Sequence, residues 1–184
     1  MTPRIDPISS FGKEERQDLL AQAELIFFET ARVKSFDSNK VRENFRQRWF
    51  GRYAEIHPST FFLARSPDGS VIGYLAGCID TFTDENRELV ADVDYYTPGF
   101  AAALTEYPSH LHINITPHRQ NQGIGKTLME RFHKACQSAG SSGVHVVTSA
   151  ESPAVAFYEA CGYKREHFPA PSSRLAILLR PIRA

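Results

Sequence analysis

The stretch that decides the fold reads Ile115-Thr116-Pro117-His118-Arg119-Gln120-Asn121-Gln122-Gly123-Ile124-Gly125-Lys126-Thr127. On its N-terminal side, His110 to Thr116 alternates, with His110, His112 and Asn114 on one face and Leu111, Ile113 and Ile115 on the other, the period of a strand. On its C-terminal side, Leu128, Met129, Phe132 and Ala135 recur at helical spacing and predict a helix over 124–139. Gln120 to Gly125 is therefore a strand-to-helix turn. Amide N–H groups at such a helix start, with the positive end of the helix dipole, attract phosphate. Glycines let the backbone approach the anion with no Cβ in the way.

Three phosphate-binding patterns compete for this turn. Gly125-Lys126-Thr127 imitates the end of G-x-x-x-x-G-K-[ST], but Gln120 stands where that loop needs its first glycine. Gly123-x-Gly125 opens a dinucleotide fingerprint, but Leu128 occupies the place of the third glycine. The shorter pattern [Q/R]-x-x-G-x-[G/A] is met in full by Gln120 to Gly125. On these residues alone, a glycine-bearing turn without a ligand stays open.

Working outward, Leu19, Leu20, Ala23, Ile26, Phe27 and Ala31 mark an amphipathic helix within 13–33. A second helix is expected from the N-cap Ser38 to His57-Pro58, with Val41, Phe45, Trp49 and Tyr53 on one stripe. Residues 60–64 and 71–79, joined by Pro67-Asp68-Gly69-Ser70, predict a hairpin. Residues 80–108 are less regular and read as a binding loop, with a short helix over 100–104. Beyond the decisive stretch follow a strand over 144–148, a short helix over 153–161 closed by Gly162, and strands over 163–167 and 174–179. The order is that of one α/β domain spanning 1–184.

The chain has 184 residues, enough to bury a core without staples. Its 21 basic and 21 acidic side chains cancel, which argues against a nucleic-acid partner held by bulk phosphate neutralisation. The cancellation hides a basic group, His118, Arg119, Lys126 and Arg131, and an acidic one, Asp84, Glu85, Glu88, Asp92 and Asp94. Cys78, Cys136 and Cys161 are dispersed and form no CxxC pair, so neither a zinc knuckle nor a disulfide framework is expected. His110-x-His112 marks no third or fourth ligand, and no metal is expected. With neither a signal peptide nor an apolar run long enough for a bilayer, a cytoplasmic protein with no membrane partner is the expectation.

About 30 residues past the turn, Ala154-Val155-Ala156-Phe157-Tyr158-Glu159-Ala160-Cys161-Gly162-Tyr163 resembles the A-x-x-[FL]-Y-x-x-x-G-[FY] segment of the GNAT acyltransferases. Pro117 and the strand Val71 to Gly77 are similar to that family as well. Within it, Tyr107 to Asn114 resembles the acetyltransferase-like domain attached to some O-GlcNAcases. The resemblance implies the GNAT fold: a mixed, mostly antiparallel twisted sheet, splayed between its strands at 111–116 and 144–148 and flanked by helices, an α/β (α+β) class.

The same resemblance implies acetyl-CoA as co-substrate and transfer to an amine by direct attack. The pyrophosphate would sit on Gln120, Asn121, Gln122, Gly123, Ile124 and Gly125, with Lys126 and Thr127 at the helix start. Pantetheine would pair along Ile113, Asn114 and Ile115, and Glu151, Ala154, Phe157 and Tyr158 would complete the cofactor-binding set. Tyr158 is the implied general acid toward the departing thiolate, and His112 the candidate base. Cys161 is read as a packed cysteine rather than a nucleophile. The acceptor is an amine-bearing small molecule, peptide or protein, taken by a monomer or homodimer; Asp92, Asp94, Tyr95 and Tyr96 point faintly to a cationic or sugar-amine one. Two alternatives stay open, a CoA-binding module without robust catalysis and a P-loop-like nucleotide binder.

Overall fold

The computed structural model describes residues 3–166 and 174–182. In chain order the strands and α-helices are β1 (Arg4–Pro7), α1 (Lys13–Thr30), α2 (Asn39–Arg46), α3 (Arg52–Ile56), β2 (Phe61–Arg65), β3 (Val71–Cys78), α4 (Arg87–Val90), α5 (Pro98–Ala103), β4 (Ser109–Ile115), α6 (Ile124–Ser138), β5 (Gly143–Ser149), α7 (Ala154–Ala160), β6 (Lys164–Glu166) and β7 (Leu175–Pro181). The strands follow the order β1-β2-β3-β4-β5-β7-β6. Pairing is antiparallel for β1–β2, β2–β3, β5–β7 and β6–β7, and parallel for β4–β5. This is the mixed, mostly antiparallel sheet with helices that the resemblance implied. The edge strand β1 was not foreseen, because Arg4-Ile5-Asp6-Pro7 is too short and polar to show a period of its own. His167, assigned by sequence to a strand, lies outside the described residues.

The chain packs as two compact units, Met1–Gly77 with His112–Phe132, and Cys78–Leu111 with His133–Ala184. In the first unit Phe50, Phe61 and Tyr74 form the aromatic centre. Phe61 and Tyr74 stack with centroids 5.4 Å apart, and Phe50 meets both edge-on. The expected single helix over 38–57 is broken by a π turn at Gln47–Gly51, where the Arg52 amide donates to the Gln47 carbonyl five residues back. The extra residue in that turn rotates the apolar stripe. Phe50 and Tyr53 are buried, whereas Val41, expected on the inner face, is 46% exposed. Ser38 caps α2 as expected, its hydroxyl accepting from the Val41 amide.

In the second unit Phe100, Leu104, Ile177 and Leu179 form the core, with Tyr95, Tyr96, Tyr107 and Val147 packed on it. The expected loop over 80–108 thus carries core residues on α5, a short helix capped by the Thr97 side chain. A Cβ on Gly143 would stand 2.5 Å from the Tyr107 ring and 2.7 Å from the Glu106 carbonyl oxygen, a backbone atom that cannot swing away. Gly143→Ala is therefore expected to lower stability by about 1–3 kcal/mol, the usual cost of overpacking. A urea midpoint equal to that of the parent protein would refute this.

Candidate functional site

β4 ends at Ile115, and Pro117–Arg119 makes one tight 3-10 turn before the chain enters α6. Two residues of the connection lie in the left-handed region, Asn121 at φ 59° and Gly123 at φ 80°. Asparagine is among the few residues with a side chain that accept this conformation, and glycine accepts it without cost. A Cβ on Gly123 would meet nothing within 4 Å, so glycine is required there by conformation and not by crowding. Ile124, buried, anchors the start of the helix.

The polar side chains of the turn are spent on holding its backbone. Gln120 Nε2 donates to the Ile115 carbonyl at 3.1 Å, and Gln122 Nε2 donates to the His118 carbonyl at 3.1 Å. The Thr127 hydroxyl and amide both donate to the Gly123 carbonyl, at 3.2 and 3.1 Å. The sequence expects the amides of residues 120–125 to hold the pyrophosphate; in the structure these side chains brace the turn, and the amides of the first helical turn have no partner within the helix. Arg119 and Lys126 are exposed and make no ion pair among the described residues. Arg131, grouped with them by sequence, instead places its guanidinium 5.9 Å from the Phe62 ring centroid.

On β4 the polar side chains His112 and Asn114 are held from within the first unit. His112 Nε2 lies 3.1 Å from the Tyr53 hydroxyl, and its ring sits edge-on to both Trp49 and Tyr53 at 5.1 Å. The hydroxyl either donates to Nε2 or accepts from it according to the tautomer, and in both cases Tyr53 holds the orientation of the imidazole. Sequence reading did not give Trp49 and Tyr53 this part, although both stood on the stripe drawn along the second helix. The Asn114 amide nitrogen donates to Tyr74 Oη at 2.8 Å, and its oxygen accepts from the Thr30 hydroxyl at 2.8 Å. Its side chain is therefore committed inward. The parallel pairing of β4 with β5 is at Ser109–Val144 and His110–His145, whereas β4 continues to Ile115.

In the second unit Tyr158 is buried on α7, edge-on to Phe157 at 5.3 Å and to Tyr163 at 5.7 Å. Burial, helped by the nearby Cys161, pushes its phenol well above the usual tyrosine range and keeps it protonated. Glu151 is exposed, Ala154 and Phe157 are half-buried, and the Ser152 hydroxyl accepts from the Ala154 amide at the helix start. Cys161 is half-exposed and caps α7, whereas burial pushes the Cys136 thiol up to about 11. Tyr95 and Tyr96, half-buried, pack on the core, and Tyr96 Oη lies 2.7 Å from His145 Nε2. Asp92 and Asp94 are exposed.

Residues 57–165 match the family described as the acetyltransferase (GNAT) domain. The chain belongs to the GNAT acetyltransferase family. The strand-turn-helix at 109–138 and the Tyr158 helix both fall within the matched segment or run on from it. Among solved structures, SsHAT is similar over 100% of both chains, with a TM-score of 0.72 and 22% identity. PH1933 from Pyrococcus horikoshii OT3 is similar over 99% of both chains, with a TM-score of 0.68 and 13% identity. The GNAT superfamily phosphinothricin acetyltransferase from Sinorhizobium meliloti, solved in complex with AcCoA, is similar over 99% of this chain and 89% of that one, with a TM-score of 0.61 and 16% identity. Membership in the GNAT family removes the P-loop alternative. The turn sits in the parallel β4-α6-β5 unit, as a P-loop would, but Gln120 stands where that loop needs its first glycine. Among the described residues no helix is long and apolar enough to cross a membrane, and no group of three or more His, Cys, Asp or Glu side chains gathers as a metal site.

Proposed function

We propose that this chain is an acetyl-CoA-dependent N-acetyltransferase that moves an acetyl group to an amine by direct attack. The observation that carries the reading is the braced turn at 120–125, with Asn121 and Gly123 left-handed and leading into the first turn of α6, in a member of the GNAT family. A pyrophosphate fits that chemistry: it needs several amide donors and no intruding Cβ, and Arg119 and Lys126 add positive charge. The acyl donor supplies an already activated thioester. The protein then has to align an amine, accept its proton and stabilise the departing thiolate.

His112, held by Tyr53 and flanked by Trp49, is the proposed base. Tyr158, kept protonated by burial, is the proposed donor to the thiolate. Ile113, Asn114 and Ile115 offer backbone groups to the pantetheine, and Glu151, Ala154 and Phe157 complete the proposed binding set. The acceptor is an amine-bearing small molecule, peptide or protein. A second reading, binding of acetyl-CoA without turnover, draws on the His112 ring nitrogen already engaged with Tyr53.

Calorimetric titration with acetyl-CoA, followed by thiol release on a panel of arylalkylamines, polyamines, amino sugars and lysine peptides, separates these readings. Binding with thiol release on at least one acceptor supports the transferase. Binding with no release on any supports the module, and no binding overturns both. Gly123→Ala is expected to weaken acetyl-CoA binding about tenfold, because a Cβ in the left-handed region costs roughly 1–2 kcal/mol and distorts the amide cradle. Unchanged affinity in that variant would take the turn out of the binding site.

A further inference from the structure

The second unit contains a cavity of about 660 Å³, and the proposed acetyl transfer uses none of its residues. Its volume falls in the range of small-molecule sites. Lys134, Lys164 and Arg180 line it, against the single carboxylate of Glu166, and Tyr107, Leu179 and Pro181 supply an apolar wall. Arg180 is not a loosely solvated cation. Its Nη1 donates to the Cys161 carbonyl at 2.5 Å and to His133 Nδ1 at 3.0 Å, which uses both hydrogens of that nitrogen. Since His133 Nδ1 accepts, its Nε2 carries the ring proton and donates to Tyr163 Oη at 2.9 Å. Burial and the adjacent Arg180 hold His133 neutral by lowering it to about 4, so it neither repels Arg180 nor supplies a counter-charge.

The guanidinium plane is therefore fixed by partners on α7, α6 and, through His133, the tyrosine that precedes β6. Its other edge, Nε and Nη2, has no partner among the described residues. Gly162 lies beside the guanidinium: a Cβ there would come to 3.8 Å from Arg180 Cζ and Nη1, ordinary van der Waals contact. A fixed fork with one vacant edge matches an oxyanion that presents two oxygens side by side, a carboxylate or a phosphate.

We infer that this cavity is a second, independent binding site, for a small carboxylate- or phosphate-bearing molecule gripped by the Nε/Nη2 edge of Arg180 with Lys164 beside it. The Tyr107, Leu179 and Pro181 wall favours an occupant with an apolar portion over a bare ion. The test is titration of the full chain, followed through the backbone amide resonances of Gly162, Lys164 and Ile182. Succinate and inorganic phosphate are the two probes, and they distinguish a carboxylate from a phosphate occupant.

A saturable shift with either probe is expected. Arg180→Lys keeps the charge but not the fork and should weaken binding about tenfold. Lys164→Ala, an exposed position remote from the core, should weaken it about threefold. Gly123→Ala should leave the titration unchanged, which keeps this site separable from the acetyl-CoA turn. No saturable shift with either probe, or an undiminished one in both Arg180→Lys and Lys164→Ala, overturns the inference.

Discussion

Acetyl transfer by the Tyr158→Phe variant is expected to fall about 100-fold at saturating acetyl-CoA, with acetyl-CoA affinity within about twofold of the parent protein, if Tyr158 has the proposed role. The substitution removes one hydroxyl and keeps the ring that meets Phe157 and Tyr163 edge-on, so α7 retains its packing. What is lost is a proton donor. Burial makes the phenolate costly, so the phenol holds its proton throughout the physiological range and remains competent to hydrogen-bond a developing thiolate. An interaction made only as the carbon–sulfur bond breaks affects turnover and leaves donor binding almost untouched. The measurement is steady-state thiol release with the best acceptor, beside calorimetry with acetyl-CoA. Equal loss of affinity and turnover would make Tyr158 a wall of the binding site, and unchanged turnover would remove it from the chemistry.

The protein is also expected to lose stability on mild acidification, with His145 as one of two buried histidines responsible. This imidazole is fully buried on β5. Its Nδ1 donates to the Tyr107 carbonyl and its Nε2 faces the Tyr96 hydroxyl, with Phe82 stacked on the ring and His110 5.6 Å away. Burial lowers its pKa from 6.5 to about 4, opposed in part by the hydrogen bond to Tyr107. Between those values the unfolded chain binds a proton that the folded chain does not. Stability is therefore whole above about pH 6.5 and drains away as pH falls toward 4, by about 3 kcal/mol for this group. His133 on α6, lowered in the same direction, adds to the slope. Urea midpoints taken between about pH 7 and pH 4.5 should fall with acid in the parent protein and fall less in His145→Gln. Equal slopes in the two would show that the proton is taken up elsewhere.

Much of this site is legible in the sequence because its parts are local. A strand period, two glycines and a helical period over 109–138 are enough to place a strand-to-helix turn, and the Ala154 to Tyr163 segment is enough to suggest the family that the family match shows. The edge strand β1 and the π turn at Gln47–Gly51 are not legible. Arg4–Pro7 forms a strand by pairing with β2, and the π turn gains its advantage by turning Phe50 and Tyr53 inward. Both gains depend on residues far along the chain.

The same division runs through the functional residues. Sequence by itself determined the backbone chemistry: where glycine must stand and where a helix presents its amides. Only the tertiary structure decided the use of each side chain. Gln120, Gln122 and Thr127 brace the turn, Asn114 is claimed by Tyr74 and Thr30, Tyr96 serves His145, and Arg180 is clamped with one edge exposed. The reason is one of range. Backbone conformation follows from neighbours a few residues away, whereas a polar side chain is committed by whichever partner the fold brings within about 3 Å of it.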